Sequence, residues 1–274
     1  HELSVLQKIL DQALDEYNES NAQMDLVLFE DALNHVCRIT RIINNPSGHA
    51  LLVGVGGSGK KSLSRLASFI CGYQTSTIQI SATYGINDLK TDLQEMYKKA
   101  GIKGEGVMFL FTDAEITNER FLVYLNDLLG SADIAGLYAQ DEKDEVIGSV
   151  TKKAKAAGFA PEPGPVYDFF LQEVRRNLHV CLCCSPVGPD FSTRCQRFPA
   201  LVNCTVIDWF QPWPEQALYS VGCKFLEAIE DLGGDAVRAQ LQTFMPELAG
   251  STNAMATTFK QMEGRFVYTT PKSY

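Results

Sequence analysis

Gly54, Gly56, Gly57 and Gly59, with Ser58 among them and Lys60 directly after, are the residues of this chain best suited to chemistry. Glycines let successive backbone N–H groups turn into one concavity. A helix opening near Lys60 adds the positive end of its dipole, and the lysine ammonium reaches the outer phosphates of a nucleotide. The apolar run Ala50, Leu51, Leu52, Val53 just before it reads as a buried strand that feeds the turn. The implied chemistry is capture of phosphate. In such loops a Ser or Thr follows the lysine and ligates magnesium. Here Lys61 stands there and the first hydroxyl is Ser62. Nucleotide binding is therefore expected to survive better than magnesium-assisted hydrolysis.

The same glycines also satisfy Gly-x-Gly-x-x-Gly, a weakly specific dinucleotide fingerprint. That alternative needs an acidic residue about 20 positions on, at the end of the second strand. The second strand is read at Thr77–Ile80 and runs into Ser81, Ala82 and Thr83 without one, so a mononucleotide loop is the better reading. Hydrolysis would further require, at the end of the third strand, an Asp that holds magnesium and a Glu that orients water. That place reads Phe109, Leu110, Phe111, Thr112, Asp113, Ala114, Glu115. Thr112 falls where the Asp belongs and Asp113 where the Glu belongs, which draws the charge back by one methylene, about 1.5 Å. An offset register would make Asp113 the metal ligand and Glu115 the base, but strand residues two apart share a face, so it needs a bulge. The plain alternative for Asp113 is a helix cap or a solvated turn residue. Ser185, ending the fourth strand, is either a contact to the terminal phosphate or attacking water, or a strand-end hydroxyl before Pro186. Arg194, with Arg197 second, lies on what reads as an exposed loop, Asp190 to Pro199. These arginines are either a finger reaching a neighbour's nucleotide or ordinary surface residues. The catalytic candidates are thus Asp113, Ser185 and Arg194. Those for nucleotide are Gly54, Gly56, Gly57, Ser58, Gly59, Lys60, Lys61 and Ser62, and any magnesium would fall to Ser62 and Asp113.

Composition narrows the class. The 274 residues, 45% hydrophobic and 21% charged, suit one α/β domain with a smaller satellite. A net charge of −9, with scattered basic residues, argues against a nucleic-acid partner. No apolar run approaches bilayer length, so no membrane partner is expected. The opening His1, Glu2, Leu3, Ser4 is not a secretory signal, and both chain ends read as cuts from a longer polypeptide. Eight cysteines without a secretion signal fit a reducing compartment. Cys181, Cys183 and Cys184 are read as packing in a buried strand rather than as zinc ligands.

Strands alternating with helices dictate a parallel sheet with right-handed crossovers, five-stranded and flanked by helices. Helices are expected over Leu6–Tyr17, Glu30–Ile43, from about Lys60 to Gly72, over Asn87–Ala100, Phe121–Leu129, Gln140–Lys155 and Val166–Arg176. The remaining strands are placed at Val107–Phe111, Val180–Ser185 and Val202–Ile207, with Met24–Phe29 an apolar pre-helix strand and Pro161–Pro165 a loop. Residues 215–264 read as helical, with breaks at Gly233–Gly234 and near Pro246. The expected division is 1–23 as a leading helix, 24–208 as a large α/β subdomain and 209–274 as a small helical lid.

Taken together, these residues resemble the dynein heavy chain family, most specifically the fourth AAA+ module of an axonemal dynein. The resemblance rests on Leu26-Val27-Leu28-Phe29, the run Gly54 to Gly59 with Ser62-Leu63, Phe109 to Asp113, Leu178-His179-Val180 leading to Ser185-Pro186-Val187-Gly188, and Arg197 to Phe210. It implies an AAA+ P-loop module in a six-module ring formed by one polypeptide, holding ATP or ADP for regulation or bracing with weak or no hydrolysis. The rival readings are a hydrolysis-competent module and an empty structural one. It further implies neighbouring AAA+ modules, intermediate and light chains as partners, and microtubules reached through a stalk outside this segment. The implied setting is the cytoskeleton of the cytoplasm, in the axoneme of a cilium or flagellum. By the same resemblance Leu26, Val27 and Leu28 line an adenine pocket, and a residue near Thr270–Lys272 approaches the phosphates from the lid.

Overall fold

The computed structural model describes residues 3–265 and 267–271. In chain order the elements are α1 (Leu3–Ser20), α2 (Glu30–Ile43), β1 (Ala50–Val53), α3 (Lys60–Ile70), β2 (Gln74–Ser76), α4 (Ile86–Tyr97) and a π-helical turn at Lys98–Lys103. β3 (Val107–Thr112), a 3₁₀ turn at Asp113–Glu115, α5 (Arg120–Gly130), α6 (Gln140–Ala156), α7 (Pro163–Asn177) and β4 (Leu178–Cys184) follow. The chain closes with α8 (Asp190–Arg197), α9 (Ala200–Asn203), β5 (Val206–Trp209), α10 (Glu215–Glu227) and α11 (Asp235–Glu263). No described helix is long and apolar enough to cross a membrane.

The chain forms two compact units. One, the sheet unit, comprises residues 35–53 and 61–209, and the other holds the described residues of 1–34, 54–60 and 210–274. In the sheet unit the five strands run parallel in the order β2-β3-β4-β1-β5. β1 and β3 are buried at every residue. Such continuous apolar strands need cover on both faces, which crossover helices supply. The core gathers Tyr97, Phe109, Phe111, Phe121 and Phe170 with the aliphatic faces of α4, α5 and α7. One edge is tied by a buried carboxylate: Asp208 on β5 accepts from His35 Nδ1 at 2.7 Å and pairs with Arg38, both on α2. Because a buried carboxylate without partners is costly, this pair fixes α2 against β5.

Several elements differ from the sequence expectation, each for a local reason. The second strand is Gln74–Ser76, not Thr77–Ile80: Gln74 opposes Val107 and Ser76 opposes Phe109, and the chain leaves the ladder after that. Ile78 and Ile80 still pack on the core, so their alternation reports burial without strand pairing. Pro161–Pro165 is only partly a loop, because Pro163 opens α7 at a first-turn position where no N–H is needed. The last strand is Val206–Trp209, and Ala200–Asn203 is a helical turn started behind Pro199. The arginine loop is a helix, α8. Pro246 does not break α11, which runs through it with the proline buried, despite the lost ladder bond and the crowding of the preceding turn. Met24–Phe29 forms no strand, and a tight turn closes within it where Leu26 N–H donates to Met24 O at 3.1 Å.

Candidate functional site

Within the helical unit, the glycine turn is built as a cradle around its own lysine. Gly57 and Gly59 sit at φ 77° and 90°, the left-handed region that side chains disfavour. A Cβ on Gly54 would lie 2.6 Å from Phe210 Cβ and 3.2 Å from Ser58 Oγ, so that glycine is required by close approach. Gly56 is different, because a Cβ there would meet nothing within 4 Å. Lys60 Nζ donates to Gly54 O at 2.6 Å, to Val55 O at 2.8 Å and to Ser58 Oγ at 3.2 Å. Ser58 is buried. The lysine thus holds the loop's curvature through the same ammonium that a phosphate would draw on.

The same unit contains a cavity of about 580 Å³ that begins at Val55 of the loop. Pro212, Trp213 and Leu218 form one wall, Leu248 and Asn253 of α11 another, and Tyr268 to Pro271 the rest. Its size and mostly apolar lining suit a planar organic ligand. Phe29 meets Trp213 edge-to-face at 5.4 Å, which orients the indole. Leu26, Val27 and Leu28 do not line this cavity. Leu28 is buried, and Leu26 has its N–H on Met24 O at 3.1 Å and its carbonyl on Lys224 Nζ at 2.5 Å. The lining residues that sequence reasoning missed are Pro212, Trp213 and the inner face of α11. The only sequence signal was the Trp-Phe-Gln-Pro-Trp-Pro punctuation, read as a boundary. Thr270 is on the cavity wall, whereas Lys272 lies outside the described residues.

Within the sheet unit, register brings the C-terminal ends of the central strands to one edge: Val53 opposes Cys184, and Cys183 opposes Thr112. Here Asp113 and Ser185 meet. Ser185 N–H donates to Asp113 Oδ2 at 2.8 Å, and the Ser185 hydroxyl accepts from Val187 N–H at 3.3 Å. Glu115 folds back so that its Oε2 accepts from Thr112 N–H at 2.8 Å, while Oε1 lies 3.7 Å from Lys61 Nζ. The Thr112 hydroxyl is buried and has no hydrogen-bond partner among the described residues. Ser62 is half-buried on the first turn of α3. A second cavity, about 350 Å³, lies under α8 and is lined by Thr112, Asp113, Ser185, Phe191, Arg194 and Cys195 among others. Arg194 is engaged by Glu119, through Nε at 3.0 Å and Nη2 at 2.9 Å. Arg197 is exposed. Cys181 is buried against Ser64 Oγ at 3.1 Å.

At the opposite, N-terminal edge of the sheet two histidines are buried. His49 Nδ1 accepts from Val180 N–H at 3.0 Å, and His179 Nδ1 is 2.9 Å from Gly48 O. Burial, helped by the neighbouring His179, lowers the His49 pKa to about 4, and burial lowers that of His179 too.

Residues 24–274 match the family model described as P-loop containing dynein motor region D4. The chain is 54% identical over 269 residues to the dynein alpha chain of the flagellar outer arm of Chlamydomonas reinhardtii, covering 98% of this chain. It is 49% identical to the ciliary dynein beta chain of Tripneustes gratilla, again over 98% of this chain. It is 47% identical to human dynein axonemal heavy chain 17, over its whole length. The chain spans 6% of the length of each of these relatives.

Proposed function

This chain belongs to the family of the P-loop-containing dynein motor region D4, and on that premise we propose that it is a module that holds ATP or ADP and turns it over weakly or not at all. A P-loop module of this family binds nucleotide in general terms. The finer reading rests on one observation: Val55 belongs both to the glycine turn and to the wall of the apolar cavity that Trp213 flanks. Phosphates at the turn and a purine in the cavity then form one continuous ligand. The turn supplies backbone N–H groups and the Lys60 ammonium, and the cavity supplies apolar cover and the Trp213 ring.

Weak turnover follows from the strand-tip side chains. Neither carboxylate there is idle, since Asp113 holds Ser185 N–H and Glu115 holds Thr112 N–H and faces Lys61. Magnesium needs oxygen donors in near-octahedral array. The donor set present, with an ammonium after the loop lysine and Thr112 at the tip of β3, does not fit it. The relatives are named as flagellar, ciliary and axonemal dyneins, and the larger setting we propose is an axonemal motor. There this module would brace and regulate neighbouring modules, with microtubules and the intermediate and light chains engaged elsewhere in the assembly.

The test is nucleotide counting on the polypeptide that carries this chain. Lys60→Ala should release the nucleotide held here, while overall ATPase falls only in part because other modules supply it. Undiminished occupancy in the variant would refute the reading. A chase of labelled ATP then separates holding from turnover: exchange without phosphate release supports holding, and release assigned to this site opposes it.

A further inference from the structure

We propose that Lys61 takes the place of the divalent cation in this module, so that its nucleotide is held without magnesium. This rests on the nucleotide-holding reading above and adds what neutralises the phosphates. In phosphate loops generally, the residue after the loop lysine gives a hydroxyl to magnesium and a strand-tip carboxylate supports the ion through water. Lys61 has an ammonium at that position, with three donors and no lone pair, so it cannot ligate a metal and repels one nearby.

The strand-tip side chains are arranged around that substitution. Glu115 has little exposure, 16% for its side chain, and is fixed by Thr112 N–H. Its remaining oxygen is turned to Lys61 at 3.7 Å. A carboxylate steered in this way holds an ammonium at the start of α3 and gives up the freedom it would need to bind a metal-bound water. Asp113 is committed to Ser185 N–H, and Thr112 contributes a neutral hydroxyl where a carboxylate would sit. α3 has no acidic residue in its first turn, so within the helix Lys60, Lys61 and the positive end act with one sign, and the carboxylate set against Lys61 is Glu115 from the strand tip. This is positive charge that a di- or triphosphate can draw on where the nearby carboxylates are already engaged.

Lys61 could instead be an ordinary surface lysine, since half of its side chain is exposed. The two cases separate in solution. The full polypeptide is equilibrated with labelled ATP in excess magnesium or in excess EDTA and rapidly desalted. The label retained above that of the Lys60→Ala variant is then counted. Metal-free holding predicts that the parent keeps the same amount in both buffers, and that Lys61→Thr loses about tenfold in EDTA and recovers in magnesium. A parent that loses about tenfold in EDTA overturns the inference while leaving nucleotide binding intact. A Lys61→Thr variant that holds in EDTA as well as the parent also overturns it, because the cation would then come from elsewhere. If the parent and Lys60→Ala are alike in both buffers, the underlying nucleotide reading fails and takes this one with it.

Discussion

Two glycines of one turn should respond to the same substitution in opposite ways. At Gly54 an added methyl would lie 2.6 Å from Phe210 Cβ and 3.1 Å from Phe210 O. Neither atom is the end of a flexible side chain, and Phe210 is buried, so backbone must move. Overpacking of this kind costs about 1–3 kcal/mol. Part of that cost falls on the loop that carries Lys60, and nucleotide retention should drop by about 5- to 100-fold. At Gly56 the methyl meets open space and the backbone is outside the left-handed region, so the protein alone should be indifferent, within about 0.5 kcal/mol. A phosphate lying against the loop would not be indifferent, because its oxygens need that space to reach the N–H groups. Gly56→Ala should therefore reduce retention while hydrogen exchange of peptides covering 54–60 and 210–213 stays as in the parent. Gly54→Ala should speed that exchange and reduce retention together. Full retention by Gly56→Ala would mean that no phosphate lies against the turn there. Parental exchange rates in Gly54→Ala would mean that Phe210 does not constrain the turn.

Two further outcomes can be checked. His49 has a folded-state pKa lowered to about 4 from an ordinary 6.5, so the unfolded chain binds more protons between those values. Stability should be full above pH 6.5 and fall by roughly 3 kcal/mol as pH drops toward 4; His49→Asn, which keeps an acceptor for Val180 N–H, should flatten the slope in denaturant melts, and an unchanged slope would clear His49. Arg194→Lys should cost less than about 1 kcal/mol, because its partner Glu119 is half exposed. If Arg194 serves a neighbouring module's nucleotide, the variant should lower that module's ATPase while occupancy here stays constant, and an unaltered neighbour would assign Arg194 to the Glu119 pair alone.

What the sequence made legible was whatever local chemistry enforces. The glycine turn could be placed because Gly57 and Gly59 hold backbone angles that few other residues accept, and the central strands because β1, β3 and β4 are runs of mostly apolar residues. The edges were less legible. β2 is short and polar, with Gln74, Thr75 and Ser76 paired only on one side, so the nearby Ile78 and Ile80 gave the stronger strand signal. α8 was hidden because Asp190 to Arg197 contains no fully buried residue and therefore shows no apolar stripe. The cavity wall at Pro212, Trp213 and α11 was illegible for another reason. It joins residues far apart in sequence, and no local pattern reports which distant helix will face a tryptophan.

The strand tips carry the argument about turnover furthest. Asp113 was read from sequence as an acid drawn back by one methylene from the water it should orient. In the fold its Oδ2 instead accepts from Ser185 N–H and joins the ends of β3 and β4. A carboxylate that clamps two strand ends keeps its second oxygen for water but is held in one orientation, and turning it elsewhere leaves a half-buried N–H without its acceptor, at a cost of about 1–3 kcal/mol. Glu115 faces the same choice twice over, with Thr112 N–H on one oxygen and Lys61 near the other. Such a site spends its acids on keeping the sheet edge in one shape. That suits the proposed module, which would hold its nucleotide and not turn it over.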